Sequence, residues 1–571
     1  MNSFLKYQNY VISLAAFIFL MSFVYHQNHH QKKGSHKKTV NLTTNAPEKV
    51  LEMEKQIWEI FNPIDQKISK DSDKKTVNLT TNAPEKVSEM EKQIWEIFNQ
   101  IDQKIPKVTF MHKDNTTSAQ NSKGFIINPQ NSYCVGDQLT VQVDVFDYLG
   151  KRKTYGGDYL RARIYDPVKG AGSSGRIEDF NNGTYHVHFI LLWEGKVVVT
   201  VFLMHPSEVI SALWKSRNSW YGQLDYSGKF TSGNKEVVTK CGFVLDKKDE
   251  LCEYADHENE EYFYCVKPQN FSCESFTDFK TLVTYATHVS NLENSLLTPS
   301  NVRVEIPVHM QALNVVPCNS KILEKKENCK TGMGLEYPSG YAVNEIWYPK
   351  SCTMKTYYSA EEMNTCMQGK FFHLFGDSTM HQWMTYFENK LKTLKLLDVY
   401  DNWWAHKHLA VDAERNIYVV WKRHGRPFFY QEFASVREER SIPREIDLIG
   451  GNEHTVIALN IGVHFRACPV NHYIRRLLNI RHAIERLFIR SPQTKVIIKT
   501  ENTTEMGHMY EGLGDFHAYV HYFIMEIVFK GLNVGFVNGW DMTTAFNTNQ
   551  VHPPEPYIRN EINMLMTYIC T

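Results

Sequence analysis

Cysteine is missing from the first 133 residues of this 571-residue chain, and none of the 11 that follow sits in a C-x-x-C pair. Paired knuckles of that kind build structural zinc sites and thioredoxin-like redox centres, so neither is expected. An excess of charge is absent too. Lys plus Arg number 63 and Asp plus Glu number 63, which leaves no global basicity for nucleic acid or anionic lipid. Long apolar runs are scarce: Tyr10 to Tyr25 is the only strongly apolar stretch, short for a bilayer span without its polar flanks. No small-x-small cleavage site follows it. An uncleaved signal anchor is therefore expected at residues 10–25, with a cleaved signal peptide and a secreted protein as the alternative.

With 42% hydrophobic and 13% aromatic residues the composition is globular. The length allows about three or four folding units. The cysteines stand at Cys134, Cys241, Cys252, Cys265, Cys273, Cys318, Cys329, Cys352, Cys366, Cys468 and Cys570. An odd number leaves one thiol free or paired between chains. Glycosylation acceptors occur at Asn41, Asn78, Asn115, Asn182, Asn270 and Asn502. Cysteines and acceptors together favour an oxidising, lumenal or extracellular compartment. The expected topology is single-pass type II, with residues 1–9 cytosolic and the bulk of the chain lumenal.

Lys37 to Lys70 recurs almost unchanged as Lys74 to Lys107, a period of 37 residues. Two copies suggest a duplication, since a solenoid needs three or more. Each copy has a polar start, then Asn-Ala-Pro-Glu opening a helix. In the first copy Val50, Ile57, Trp58, Phe61 and Ile64 follow at helical spacing. Residues 26–107 read as a spacer stalk rather than a self-associating helix.

From about Ile127 the period changes to two. Leu139 to Phe146 and Tyr159 to Tyr165 alternate, Gly156-Gly157-Asp158 precedes the second, and Asp179 to Phe189 contains an Asn-Gly turn and a strand. Gly195 to Val201 supplies another. This order resembles a filamin-type immunoglobulin-like repeat and implies a β-sandwich over 108–240. His186 and His188 share a strand face, which reads as solvated, and no metal site is expected. Residues 241–330 carry Cys241, Cys252, Cys265, Cys273, Cys318 and Cys329, fitting a disulfide-stabilised, loop-rich unit. Sandwich and cysteine-rich unit together are similar to the neurexophilin region, whose relatives are secreted ligands. That likeness implies a neurexin-like protein partner.

The most informative stretch is Phe371 to Ser378, an apolar run ending in Gly376-Asp377-Ser378, with Thr379 to Met384 opening a helix. A serine at such a turn has its hydroxyl at the carboxyl edge of a sheet and its N–H at a helix N-terminus, which suits an acyl-transfer nucleophile. Further strands are expected at Ile417–Trp421, Thr455–Gly462, Val496–Lys499 and Val534–Val537, with helices between them, which argues for a parallel sheet. Ser378, Asn460, Glu501 and Asp541 then fall at or just beyond apolar strands, where such sheets gather their active groups.

Gly376-Asp377-Ser378, Asn460-Ile461-Gly462-Val463-His464, and Trp540-Asp541 through Val551-His552-Pro553-Pro554 together resemble the SGNH/PC-esterase superfamily. Over residues 108–571 the chain is similar to the neurexophilin and PC-esterase domain (NXPE) family, with an α/β three-layer SGNH-hydrolase-like domain at 331–571. The resemblance implies O-acetyl transfer to, or hydrolysis from, a glycan. It favours a sialic acid or sialoglycoprotein acceptor, acetyl-CoA as donor, no bound cofactor and a Golgi location. It implies Ser378 as nucleophile and His552 as base. The Ser378 N–H, the Asn460 amide and Gly425 would form the oxyanion hole. The superfamily's usual aspartate three residues before the histidine is Asn549 here. An amide orients imidazole without stabilising its cation by charge, so Asp541 is expected to serve as the acid, with Asn549 as an orienter. The alternative is a catalytically impaired, neurexophilin-like binding glycoprotein.

Overall fold

A computed structural model describes residues 88–571, apart from 220–223, 247, 284–286, 311, 319–325, 398–407, 506–508 and 571. The expected cytosolic tail, the anchor at Tyr10–Tyr25, the first repeat copy, Asn41 and Asn78 lie outside the described residues. Among the described residues no helix is long and apolar enough to cross a membrane.

The second repeat copy is not a free spacer. Its helix α1 (Glu89–Asp102) is capped by Ser88, whose hydroxyl accepts from Glu91 N. Ile94, Ile97 and Ile101, three and four residues apart, are buried in one core with Leu477 and Ile484. Glu91 pairs with Arg475, and Trp214 Nε1 donates to Asp102 at 2.8 Å. The apolar stripe of the repeat is therefore a docking face, which corrects the spacer reading for this copy.

The β-rich region begins with β1 (Thr117–Ile126), β2 (Gln138–Asp147), β3 (Tyr159–Asp166), β4 (Arg176–Asp179), β5 (Thr184–Ile190) and β6 (Gly195–His205). A four-stranded sheet runs β1-β2-β5-β4, and β3 and β6 belong to a larger second sheet. Alternation explains the layering: Val141, Val143 and Val145 of β2 and Val187 and Phe189 of β5 meet Ile164, Val199 and Val201 in one core. The second sheet crosses the boundaries expected at 240 and 330. It takes in Val304–Ile306, Leu313–Val316, Gly340–Val343 and Ile346–Pro349.

Disulfides redraw the cysteine-rich unit as well. Cys241–Cys265 and Cys252–Cys273 lie within residues 224–283, where five strands form a separate sheet with Ala434–Ser435 at its edge. Cys318 instead joins Cys134, and Cys329 joins Cys352. Cys366–Cys570 ties the end of the last helix to the start of the α/β region. Cys468 is the free thiol, and burial pushes it up to about 12.

The C-terminal region is built on β7 (Phe371–Phe375), helix α2 (Ser378–Lys390), β8 (Ile417–Lys422), β9 (Thr455–Leu459), α3 (Val470–Arg490), β10 (Lys495–Lys499), α4 (Asp515–Phe529), β11 (Gly535–Val537), α5 (Gly539–Phe546) and α6 (Glu555–Cys570). Its parallel strands run β8-β7-β9-β10-β11, and two antiparallel strands extend the β8 edge. Every residue of β9 is buried, as a strand covered on both faces requires. Phe372 and Leu374 pack with Trp383 and Phe387 of α2 and Leu565 of α6. Ile457 and Leu459 pack with Leu477 of α3 and Met525 of α4 on the other side. In chain order the parallel strands read 2-1-3-4-5, so the direction of winding reverses between β7 and β9. Ligands of such sheets bind at the carboxyl ends of those two strands.

Candidate functional site

Ser378 stands at that switch point. β7 gives way to Gly376, where a Cβ would come 2.8 Å from the Asn460 carbonyl oxygen and 2.7 Å from Met380 Cγ, so the turn needs glycine. Asp377 caps α2: its Oδ1 accepts from Thr379 N at 2.8 Å and from Thr379 Oγ1 at 2.7 Å. Ser378 is thereby the first residue of a 13-residue helix, and its N–H makes no hydrogen bond among the described residues. An oriented, unpaired N–H at a helix N-terminus is an anion donor.

His552 reaches Ser378 from the opposite end of the domain sequence, with Nε2 2.7 Å from Ser378 Oγ. Its turn, between α5 and α6, is held from both sides. Gln382 Nε2 of α2 donates to Pro553 O at 3.2 Å, and Asn502 Nδ2 donates to Val551 O at 3.4 Å. The ring keeps a solvent-facing edge, yet its partial burial holds its pKa below the ordinary histidine value. The Asp377 carboxylate pulls the other way, and the Lys499 ammonium adds to the lowering. His552 is thus a neutral base at pH 7, hydrogen-bonded to a hydroxyl.

Asp541 is not brought to His552. It lies fully buried in α5, where its carboxylate accepts from Ser174, from Ser339 N, and from Ser339 Oγ at 2.7 Å. The helix turns this side chain toward the β-rich region, which corrects the expectation that it serves as the acid. Asn549 is also elsewhere, its Oδ1 accepting from Arg161 Nη2 at 2.6 Å. Among the described residues no hydrogen bond reaches His552 Nδ1. The carboxylate whose charge does act on the imidazole is Asp377.

The Asn460 amide is likewise committed. Its Nδ2 donates to Lys499 O at 3.1 Å and Thr500 O at 3.5 Å, while the buried Oδ1 has no partner. It lines a narrow cavity beside Asp377, Thr379, Arg466, Glu501 and Val551, but its donor points to the neighbouring strand. At about 10 Å³ that space holds about one water. Gly425, with φ +77°, lies on the wall of a different and larger cavity, with Arg426, Glu439 and Arg476. It is not the expected third donor.

Glu501 belongs to a buried ion-pair group, accepting from Arg466 Nε at 2.6 Å and bonded to His521. Asn502 is buried, with Oδ1 accepting from Tyr557 at 3.1 Å and from Lys499 Nζ at 3.1 Å. Its position rules it out as a glycan carrier in the folded chain, whereas Asn115, Asn182 and Asn270 are exposed.

Sequence reasoning missed two buried histidine pairs flanking the dyad. His381 Nε2 lies 3.0 Å from His408 Nδ1, and His424 Nε2 lies 3.0 Å from His464 Nδ1. Burial first, then His408 and His552, hold His381 down to about 3, and burial holds His464 at about 4, with His552 adding to the fall and the Asp377 and Glu501 carboxylates opposing it. Both residues are therefore neutral donors or acceptors around the base. Signals existed: His381 stands one helical turn after Ser378, and His464 closes the motif that begins at Asn460.

Fold and site together define a multidomain mixed α/β protein, disulfide-linked, with a serine–histidine pair at the carboxyl edge of a parallel sheet. Residues 347–570 match the model for the NXPE family member 4-like C-terminal domain, and residues 103–299 match the neurexophilin model. With both matches in this order, the chain belongs to the NXPE family. Among solved structures it is similar to invasin, a bacterial integrin-binding protein, at 10% identity and a TM-score of 0.13. That match covers 56% of this chain and 59% of that one, and a likeness so weak carries no argument.

Proposed function

We propose that the chain is an SGNH-type O-acetyltransferase or esterase acting on glycans through Ser378. The observation that carries this reading is the 2.7 Å contact between Ser378 Oγ and His552 Nε2 at the switch point of the sheet. Ser378 Oγ attacks the acyl carbonyl carbon as its proton passes to His552 Nε2. The oxyanion forms against the Ser378 N–H, a donor of the kind that contributes about 3–4 kcal/mol. Collapse expels the leaving group, which takes the proton from His552. The acyl-serine then passes its acyl group to a sugar hydroxyl, or to water in the esterase direction, with His552 removing that nucleophile's proton. Asp377 favours the imidazolium through its field rather than through a hydrogen bond.

The acetyl group, acetyl-CoA as its donor and a sialic acid acceptor rest on family likeness. Five disulfides support a secretory compartment, and a type II anchor in the Golgi fits both. The second reading is a binding glycoprotein with impaired catalysis, and it rests on the missing hydrogen-bond acceptor at His552 Nδ1. The neurexophilin match adds a neurexin-like partner to that reading. Labelling with a serine-reactive fluorophosphonate separates the two. Stoichiometric adduct at Ser378 that disappears in His552→Ala is expected for the enzyme; an inert Ser378 in folded protein refutes it.

A further inference from the structure

On the outer face of the four-stranded sheet, the β4–β5 hairpin brings three metal-ligating side chains together. β4 and β5 pair antiparallel with Glu178 opposite His186 and Arg176 opposite His188. His186 and His188 are two apart on β5, so both rings leave the same face, and Glu178 joins them from the adjacent strand. One ligand atom from each of the three lies within 4.8 Å of the other two. We propose that Glu178, His186 and His188 bind a divalent transition-metal ion, zinc in the first place. The histidine pair by itself reads as a solvated face, and the third ligand becomes visible only through the strand register.

The geometry needs little adjustment. Ligand atoms around tetrahedral zinc, with bonds of about 2.0–2.1 Å, stand about 3.3 Å apart. His188 Nε2 and Glu178 Oε2 are already 3.0 Å apart, so only the His186 ring has to swing inward. His188 also has a partner behind it, because its Nδ1 lies 3.2 Å from Thr140 Oγ1 on β2. A hydrogen bond from Nδ1–H to that hydroxyl leaves the Nε2 lone pair for the metal and fixes the ring. Phe180 packs edge-on against His186 with ring centroids 4.5 Å apart, limiting its rotation. The hairpin is anchored, since Asp179 Oδ2 accepts from Gly157 N at 2.7 Å. Two imidazoles and one carboxylate suit zinc, copper or nickel, and not calcium or magnesium, which prefer oxygen ligands. The remaining coordination positions face solvent, open to water or to a side chain of a bound protein.

The test is calorimetric titration of the chelator-stripped, full chain with zinc chloride. We expect one saturable equivalent per chain, with calcium and magnesium giving no comparable binding. Glu178→Gln and His186→Asn should each weaken zinc by at least about tenfold. His186→Asn combined with His188→Asn should abolish it, and Thr140→Val, which spares all three ligands, should cost about tenfold. All four side chains are on a solvated or half-solvated face, so melting in chelator should be unchanged while the zinc-induced rise vanishes. Unaltered zinc affinity in the double variant, no saturable binding by the native chain, or calcium binding as tightly as zinc overturns the proposal. Anomalous diffraction at the zinc edge gives an independent reading: density away from these three residues also overturns it.

Discussion

Replacing Asp541 by Asn should relieve a pH-dependent cost of folding and leave the chemistry at Ser378 intact. Asp541 is fully buried, and burial pushes its pKa up to about 7 from the ordinary 3.8, although hydrogen bonds from Ser339 oppose the rise. In the unfolded chain the group ionises near 3.8, so between that value and about 7 the folded state alone keeps the proton. The stability this group contributes is fully present below pH 3.8. It falls as pH rises through the interval and is flat above about 7. A gap of about three decades at about 1.4 kcal/mol each gives an upper figure of about 4 kcal/mol. Asn cannot ionise and resembles the protonated acid in shape. Wild type and Asp541→Asn, melted in parallel at several pH values from 4.5 to 7.5, should therefore diverge in favour of the variant as pH rises. The slope should approach 1.4 kcal/mol per pH unit. Fluorophosphonate labelling of Ser378 should match wild type. A stability difference that does not change with pH refutes the burial argument. Labelling lost from a variant that melts normally refutes the separation of Asp541 from the site.

Other consequences are as direct. Ser378→Ala should abolish labelling and acyl transfer, while stability shifts by about 0.5 kcal/mol or less, because the side chain sits at the mouth of the site; undiminished labelling of the variant removes the nucleophile assignment. His552→Ala should slow labelling by about 10²–10⁴-fold. Because burial lowers the His552 pKa, the wild-type labelling rate should rise with pH and reach half its plateau below pH 6.5; a midpoint above that value contradicts the desolvated base. Removing the Cys366–Cys570 link, which joins residues 204 apart, should cost about 2–5 kcal/mol, read from the denaturation midpoint. Cys468, with its thiol pushed up to about 12, should resist iodoacetamide until the chain unfolds.

The parallel sheet was legible because its strands are short, fully apolar runs alternating with longer helical patterns, and the serine was legible because glycine, aspartate and serine mark a strand-to-helix turn. His552 was visible through its motif. The acid was not, since it depends on which way α5 presents a side chain, and the sequence distance from Asp541 to His552 says nothing about that rotation. Asn460 was placed at the right edge, but its donor is taken by carbonyls of a strand distant in sequence. The docking of α1 was not legible for a different reason. Its apolar stripe is identical in both repeat copies, and duplication alone does not distinguish a spacer from a helix with a groove to fill. Boundaries in the β-rich region failed because its second sheet borrows strands from beyond residue 300.

Arg161 of β3 donates to Asn549 at 2.6 Å and to Asp515 at 2.9 Å, while Arg303 donates to Asn547 at 2.9 Å and Ser174 bonds Asp541. The segment that delivers His552 is thus braced by residues of the other half of the molecule. A fragment holding only residues 347–570 would contain both members of the dyad and yet open Asp515 and Asp541 to solvent and free the turn before the histidine. Exchanging the β-rich half for an unrelated domain would remove every one of these contacts to the segment before His552. A graft of the serine-bearing domain onto a new scaffold would therefore need its own counterpart to Arg161.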